Sequence, residues 1–334
     1  MDFSCKRRTL DGLPRQRHPH ADLRQAATHM ELPEIAGMSL SRTKLERMSQ
    51  APGFIAALDH SGGSTPGVLA RYGMDSSDYA GEEEMFNLIH GLRSRIMTSP
   101  GFRSEHIIGT ILFARTMEGT VGGLPTAQYL WEKRGILAIL KVDIGLEAER
   151  GGVHLMKPIP GLRPFLENAV EKGVVATKMR SVVDRATRGG INEIVAQQFE
   201  VARTIMECGL VPIVEPEVSI NSAEKRECEE ILHRELMDHI ESLDASQRVA
   251  LKLTPPEVAN LYADQIAHER VVRVTALSGG YDRDEACRRL GQNRGMIASF
   301  SRALTEGLHK NQSDREFDDT LEASIRQIYA ASVA

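Results

Sequence analysis

The segment Val249-Ala250-Leu251-Lys252-Leu253-Thr254 sets a lysine inside a short run of apolar, β-branched and small residues. Such a run reads as a buried strand, and burying an ammonium is costly unless it is paired or has lost its proton. Taken alone, the lysine reads more simply as an edge-strand residue pointing to water. Four other runs change that reading. Leu140-Lys141-Val142-Asp143, Thr177-Lys178-Met179-Arg180 and Val214-Glu215-Pro216-Glu217 end in charged residues two positions apart, and Ala56-Ala57-Leu58-Asp59 ends in one acid. Side chains at i and i+2 of a strand share a face, so charges recurring at the exits of apolar runs mark a common polar centre.

Outward from these runs the chain alternates between strand and helix patterns. Strands are predicted at 53–59, 107–113, 136–143, 174–180, 211–217, 248–253, 271–277 and 296–300. Helices are predicted from Ser41 onward and at 82–98, 128–133, 162–172, 191–208, 223–242, 257–268, 282–290 and 317–331. The span 191–208 is the clearest, with Ile191, Ile194, Val195, Phe199, Ala202, Ile205 and Met206 on one stripe. Eight such units imply parallel strands with right-handed crossovers, and the closed solution is an α/β (β/α)8 TIM barrel over residues 41–334. A doubly wound sheet is the alternative. The barrel explains more, because it gathers the charged strand exits at the one mouth where active sites of this fold lie.

The 334 residues are 41% hydrophobic and 26% charged, as expected of a globular chain with a large core. A net charge of -5 and only 5% aromatics, with no basic stripe, argue against nucleic-acid binding. Cys5, Cys208, Cys228 and Cys287 form no Cys-x-x-Cys pair, so a reducing, cytoplasmic setting is expected and neither a zinc site nor a disulfide framework is indicated. No apolar run approaches a membrane span, and the N-terminal stretch lacks the apolar core of a secretory signal, so none is expected. Residues 1–40, basic and proline-containing without periodicity, are expected to be a disordered extension.

Two glycine turns follow predicted strands. Leu277-Ser278-Gly279-Gly280-Tyr281 is expected to open a helix and receive a phosphate on its backbone N–H groups, with Arg302 adding a cation. Ser61-Gly62-Gly63-Ser64 is a second cradle, with Lys141 as its cation. Two cradles suggest a substrate phosphorylated at both ends. Gly122-Gly123, Gly151-Gly152 and Gly189-Gly190 are expected in ordinary loops.

A lysine of ordinary pKa near ~10.4 is unprotonated in only about four molecules in ten thousand at pH 7. Desolvation and a nearby cation such as Lys178 or Arg180 can supply the ~3 units needed, after which a Schiff base with a carbonyl becomes an electron sink for carbon–carbon cleavage. Such a sink needs an acid to expel water and a base for the substrate hydroxyl. Glu215 and Asp59 suit those roles, with Glu217 as a further carboxylate.

Together these motifs, with Ser299-Phe300-Ser301-Arg302-Ala303-Leu304, resemble class I fructose-1,6-bisphosphate aldolases, most closely the short bacterial variety, over residues 41–334. The resemblance implies a (β/α)8 barrel that reversibly cleaves fructose 1,6-bisphosphate to dihydroxyacetone phosphate and glyceraldehyde 3-phosphate without a metal or other cofactor. It implies Lys252 as Schiff-base lysine, Glu215 as acid/base, Asp59 as base at the C4 hydroxyl and Lys178 as their assistant. It further implies Ser278, Gly279 and Arg302 at the C1-phosphate, and Ser61, Ser64 and Lys141 at the C6-phosphate. Arg180 and Gly280 are grouped with these substrate-binding residues. Ile144 departs from the pattern, standing where many relatives carry lysine, and no terminal tyrosine follows Tyr329 to Ala334. A Schiff-base barrel for another sugar phosphate, or a barrel kept for partner binding, are the alternatives.

Overall fold

The structure, a computed structural model, describes Met1, residues 42–60, Gly63 and residues 65–334. The extension expected over residues 1–40 thus lies outside the described residues, apart from Met1. Eight parallel strands build the body: β1 (Phe54–Leu58), β2 (Ile107–Leu112), β3 (Leu137–Lys141), β4 (Ala176–Val183), β5 (Val211–Val218), β6 (Val249–Leu253), β7 (Val271–Ala276) and β8 (Ile297–Ala298). Their order in the sheet is their order in the chain. The Ala57 N–H donates to the Phe300 carbonyl at 3.0 Å, which brings the last strand back to the first and nearly closes the barrel.

Alternation along the strands divides the apolar residues between two cores. Ile55, Ala57, Leu137, Ile139, Ile213 and Ala250 fill the barrel interior. Phe54, Ala56, Leu58, Leu140, Val214 and Leu251 face the surrounding helices, where the stripe from Ile191 to Ile205 packs. The helix Arg42–Gln50 caps the N-terminal end, with Met48 in the interior core and its carbonyl accepting from Arg273 Nε at 3.1 Å.

Three expectations are corrected. The helix predicted at 257–268 is reduced to Ala263–Ala267. Asn260 adopts φ 61, and its N–H donates to Asn293 Oδ1 at 2.8 Å while its own Oδ1 accepts from the Arg294 N–H, so side-chain bonds replace a helical turn. Gly189-Gly190 stand in the first turn of the helix Arg188–Glu207, not in a loop; a Cβ on Gly190 would lie 2.8 Å from the Gly151 carbonyl oxygen. Finally, β8 has two residues where five were predicted, because beyond Ala298 pairing thins to single bonds, the Ser299 N–H to the Ala276 carbonyl and the Ala57 N–H to the Phe300 carbonyl.

Gly53, just before β1, has φ +136, and a Cβ there would meet the His106 carbonyl oxygen at 2.6 Å. Gly53→Ala is therefore expected to lower stability by about 2 kcal/mol or more, with urea unfolding as the measurement and an unchanged midpoint as the contrary result.

Candidate active site

The interior parity that places Ile55 and Ala57 in the barrel carries Asp59 to the mouth, two residues further along. The same step places Lys141 and Asp143 beyond Ile139, Lys178 and Arg180 beyond Ala176, Glu215 and Glu217 beyond Ile213, and Lys252 beyond Ala250. Register then sets their heights: Lys141 pairs with Lys178, Arg180 with Glu215, and Val214 with Leu251. The charged exits of five strands thereby open into one cleft of about 610 Å³.

Lys178 stands at its centre. Its Nζ lies 2.7 Å from Asp59 Oδ2, 3.0 Å from Glu215 Oε2 and 4.0 Å from Asp143 Oδ2, and the side chain is 2% exposed. Burial acts to lower the Lys178 pKa, but the three surrounding carboxylates outweigh it and hold the ammonium well above its ordinary value. Burial likewise opposes ionisation of Asp59, and Lys178 with Lys252 overcomes it, keeping that carboxyl far below the usual range. Glu215 bridges the two lysines, its other oxygen 3.1 Å from Lys252 Nζ. The charged group in direct contact with Lys252 is Glu215, and Lys178, one of the cations expected near it, sits on the far side of that carboxylate.

Two further ion pairs line the cleft. Lys141 Nζ is 2.6 Å from Asp143 Oδ1, and burial pulls its pKa down. Arg180 Nε is 2.6 Å from Glu217 Oε2, and Glu217 outweighs burial to raise the guanidinium further. Among the described residues, no group of three or more His, Cys, Asp or Glu is placed to hold a metal ion.

At the other side, Ser278, Gly279 and Arg302 line the cleft. Gly280 does not, although a Cβ on it would approach the Arg302 guanidinium to 3.5 Å. The expected helix opening at these glycines is corrected: the helix begins at Arg283, and Asp282 caps it by accepting from the Glu285 N–H at 2.8 Å. What faces the cleft is the turn, with Gly279 at φ +61, not the helix end. Ser61 and Ser64 lie outside the described residues. Tyr329 packs its ring edge-on against His106, 4.7 Å between centroids, at the N-terminal end of the barrel and away from the mouth.

Several supporting residues escaped the sequence reading. Gln198, buried within the apolar stripe of its helix, accepts the Glu215 N–H at 2.8 Å; a lone polar residue on that stripe was the available signal. Thr254 Oγ1 donates to the Val218 carbonyl at 2.7 Å, tying the exits of β6 and β5. Arg93, buried on the helix Glu82–Thr98, donates to Thr116 Oγ1 at 2.7 Å and to the His60 carbonyl, bracing the turn after Asp59. Nothing in local pattern marks Arg93, since its partners are 23 and 33 residues away.

The His60 ring rests against Ser301 Oγ, 3.1 Å from Nε2. Burial, reinforced by Arg93 and Arg302 against the pull of Asp59, lowers its pKa to about 4. An unfolded histidine takes up its proton near ~6.5, so below that pH the unfolded state binds a proton that the folded state refuses. Stability contributed by neutral His60 is complete above about 6.5 and declines as pH falls toward 4. His60→Gln should accordingly remove about 2 kcal/mol of the stability change between pH 7 and pH 5, read from urea midpoints of both proteins.

Comparison with known proteins follows the same geometry. A class 1 fructose-bisphosphate aldolase of Synechocystis sp. is 53% identical over 293 residues, spanning 88% of this chain and 98% of the relative. One from Porphyromonas gingivalis is 52% identical over 294 residues, 88% of this chain and all of the relative. The fold is similar to the solved fructose-bisphosphate aldolase of Plasmodium falciparum in complex with TRAP and a small-molecule inhibitor. That likeness has a TM-score of 0.67 at 20% identity, covering 87% and 93% of the two chains. No family model matches the chain.

Proposed function

The chain belongs to the class I fructose-bisphosphate aldolase family, and we propose from that premise that it cleaves fructose 1,6-bisphosphate through a Schiff base on Lys252. The reaction is reversible, yields dihydroxyacetone phosphate and glyceraldehyde 3-phosphate, and serves glycolysis and gluconeogenesis. The observation that carries the assignment of roles is the Glu215 carboxylate, held between Lys252 at 3.1 Å and Lys178 at 3.0 Å.

Lys252 Nζ, after giving a proton to Glu215, adds to the substrate's C2 carbonyl to form a carbinolamine. Protonated Glu215 then returns its proton to the departing hydroxyl, water leaves, and an iminium remains. Asp59, kept ionised by Lys178, takes the proton of the C4 hydroxyl. The C3–C4 bond breaks, its electron pair enters the iminium to give an enamine, and the aldehyde departs. Protonation at C3 and hydrolysis release dihydroxyacetone phosphate and restore Lys252. Lys178 holds both carboxylates in place and favours the ionised form of each, the form in which each accepts a proton.

Phosphate recognition is assigned to Ser278, Gly279 and Arg302 for one phosphate and, as the resemblance implies, to Lys141 with Ser61 and Ser64 for the other. Arg180 and Glu217 hold one another at the rim and border the substrate. Cys208, Cys228 and Cys287 are free, which supports a reducing, cytoplasmic setting. Among the described residues, no helix is long and apolar enough to cross a membrane.

Intact-mass analysis after borohydride treatment with dihydroxyacetone phosphate, in EDTA, tests the central assignment. Wild type should gain a stable adduct and Lys252→Ala should gain none; a folded wild type without adduct would overturn the Schiff base. Asp59→Asn separates the later step. Its cleavage rate should fall by roughly 10²–10⁴-fold while the dihydroxyacetone phosphate adduct persists, because the C4 hydroxyl is absent from that half of the substrate.

A further inference from the structure

Six cationic and four acidic side chains line the cleft. The acids Asp59, Asp143, Glu215 and Glu217 are each paired with Lys141, Lys178, Lys252 or Arg180. The two cations without a carboxylate within 4.0 Å among the described residues are Arg302, already assigned to a phosphate, and Arg71, which no role accounts for.

Arg71 ends the short helix Thr65–Arg71 that follows β1. Gly67, Val68 and Arg71 of this helix line the cleft, as does Gly63 before it, so one face of the helix looks inward. A Cβ built on Gly63 or Gly67 meets nothing within 4 Å. Packing therefore does not demand glycine at 67, even though a mid-helix glycine costs about 1 kcal/mol relative to alanine. The effect of the two glycines is open space on the inward face, with Arg71 as its one long side chain. Arg71 and Arg302 also border a second, smaller recess together, beside Val68 and Leu308, so the two residues stand on adjoining walls.

A cleft whose uncommitted cations, among the described residues, are two arginines on adjoining walls is electrostatically suited to a dianion, which each can grip with paired N–H donors. We infer that Arg71 is a second phosphate-binding residue, acting with Arg302 on the phosphate of the dihydroxyacetone phosphate half of the substrate. This rests on the reading of the cleft as an aldolase site and adds a specificity-determining residue to it.

The experiment is borohydride trapping as a function of concentration, with dihydroxyacetone phosphate and with unphosphorylated dihydroxyacetone, on wild type, Arg71→Gln and Arg71→Lys. Arg71→Gln should raise half-saturation by dihydroxyacetone phosphate about tenfold and leave the adduct plateau and the dihydroxyacetone curve unchanged. Arg71→Lys should fall between, since it keeps the charge and loses the fork. Superimposable dihydroxyacetone phosphate curves would overturn the inference, and so would an equal displacement with dihydroxyacetone, which would mean a structural role. Calorimetric binding of inorganic phosphate to wild type and Arg71→Gln needs no Schiff base. Weaker phosphate binding by the variant supports Arg71 even if the wild type traps no adduct, and equal binding counts against it.

Discussion

The ammonium of Lys178, in contact with Asp59 and Glu215 and near Asp143, is the interaction on which the mouth of the barrel depends. Each of these groups would be strongly disfavoured if buried alone, and removing one partner of such a set typically costs about 3–5 kcal/mol. The set exists only if β1, β3, β4 and β5 end at matched heights. The register that pairs Lys141 with Lys178 and Arg180 with Glu215 is thus a condition for chemistry as well as for folding. A slip by one residue would turn all these charges into the apolar layer beneath the helices.

Around that centre the protein adds braces that do no chemistry. Gln198 fixes the backbone of Glu215, Thr254 links the exits of β5 and β6, and Arg93 clamps the turn after Asp59. Each satisfies a backbone group that strand pairing leaves free at the end of the barrel, where ladders stop and loops begin. The cost of these buried polar side chains is returned as position: the reacting carboxylates are held before substrate arrives, so little reorganisation is needed when charge develops.

The division of charge follows from the same constraint. Lysines and carboxylates near the reacting carbon neutralise one another at short range, while Arg71 and Arg302 at the cleft wall have no acidic partner among the described residues. Short-range pairing tunes protonation, and the surplus positive charge draws an anionic substrate toward it.

By itself the sequence determined the alternation of eight strands and their helices, and the inward placement of Asp59, Lys178, Glu215 and Lys252, because strand parity is a local property that survives without knowledge of neighbours. Composition of the turn at Ser278-Gly279-Gly280 was equally legible, although its relation to the next helix was not, since Asp282 caps that helix through the Glu285 N–H and sets its start at Arg283. Where a helix yields to side-chain bonds, as at Asn260, the deciding partner is Asn293, 33 residues further on. Only the tertiary structure decided that Glu215, not a cation, touches Lys252, that Tyr329 sits at the wrong end of the barrel, that Arg93 and Gln198 brace the site, and that Arg71 lines its cleft. Those outcomes depend on distances between elements far apart in the chain, which closure of the barrel sets and periodicity cannot express.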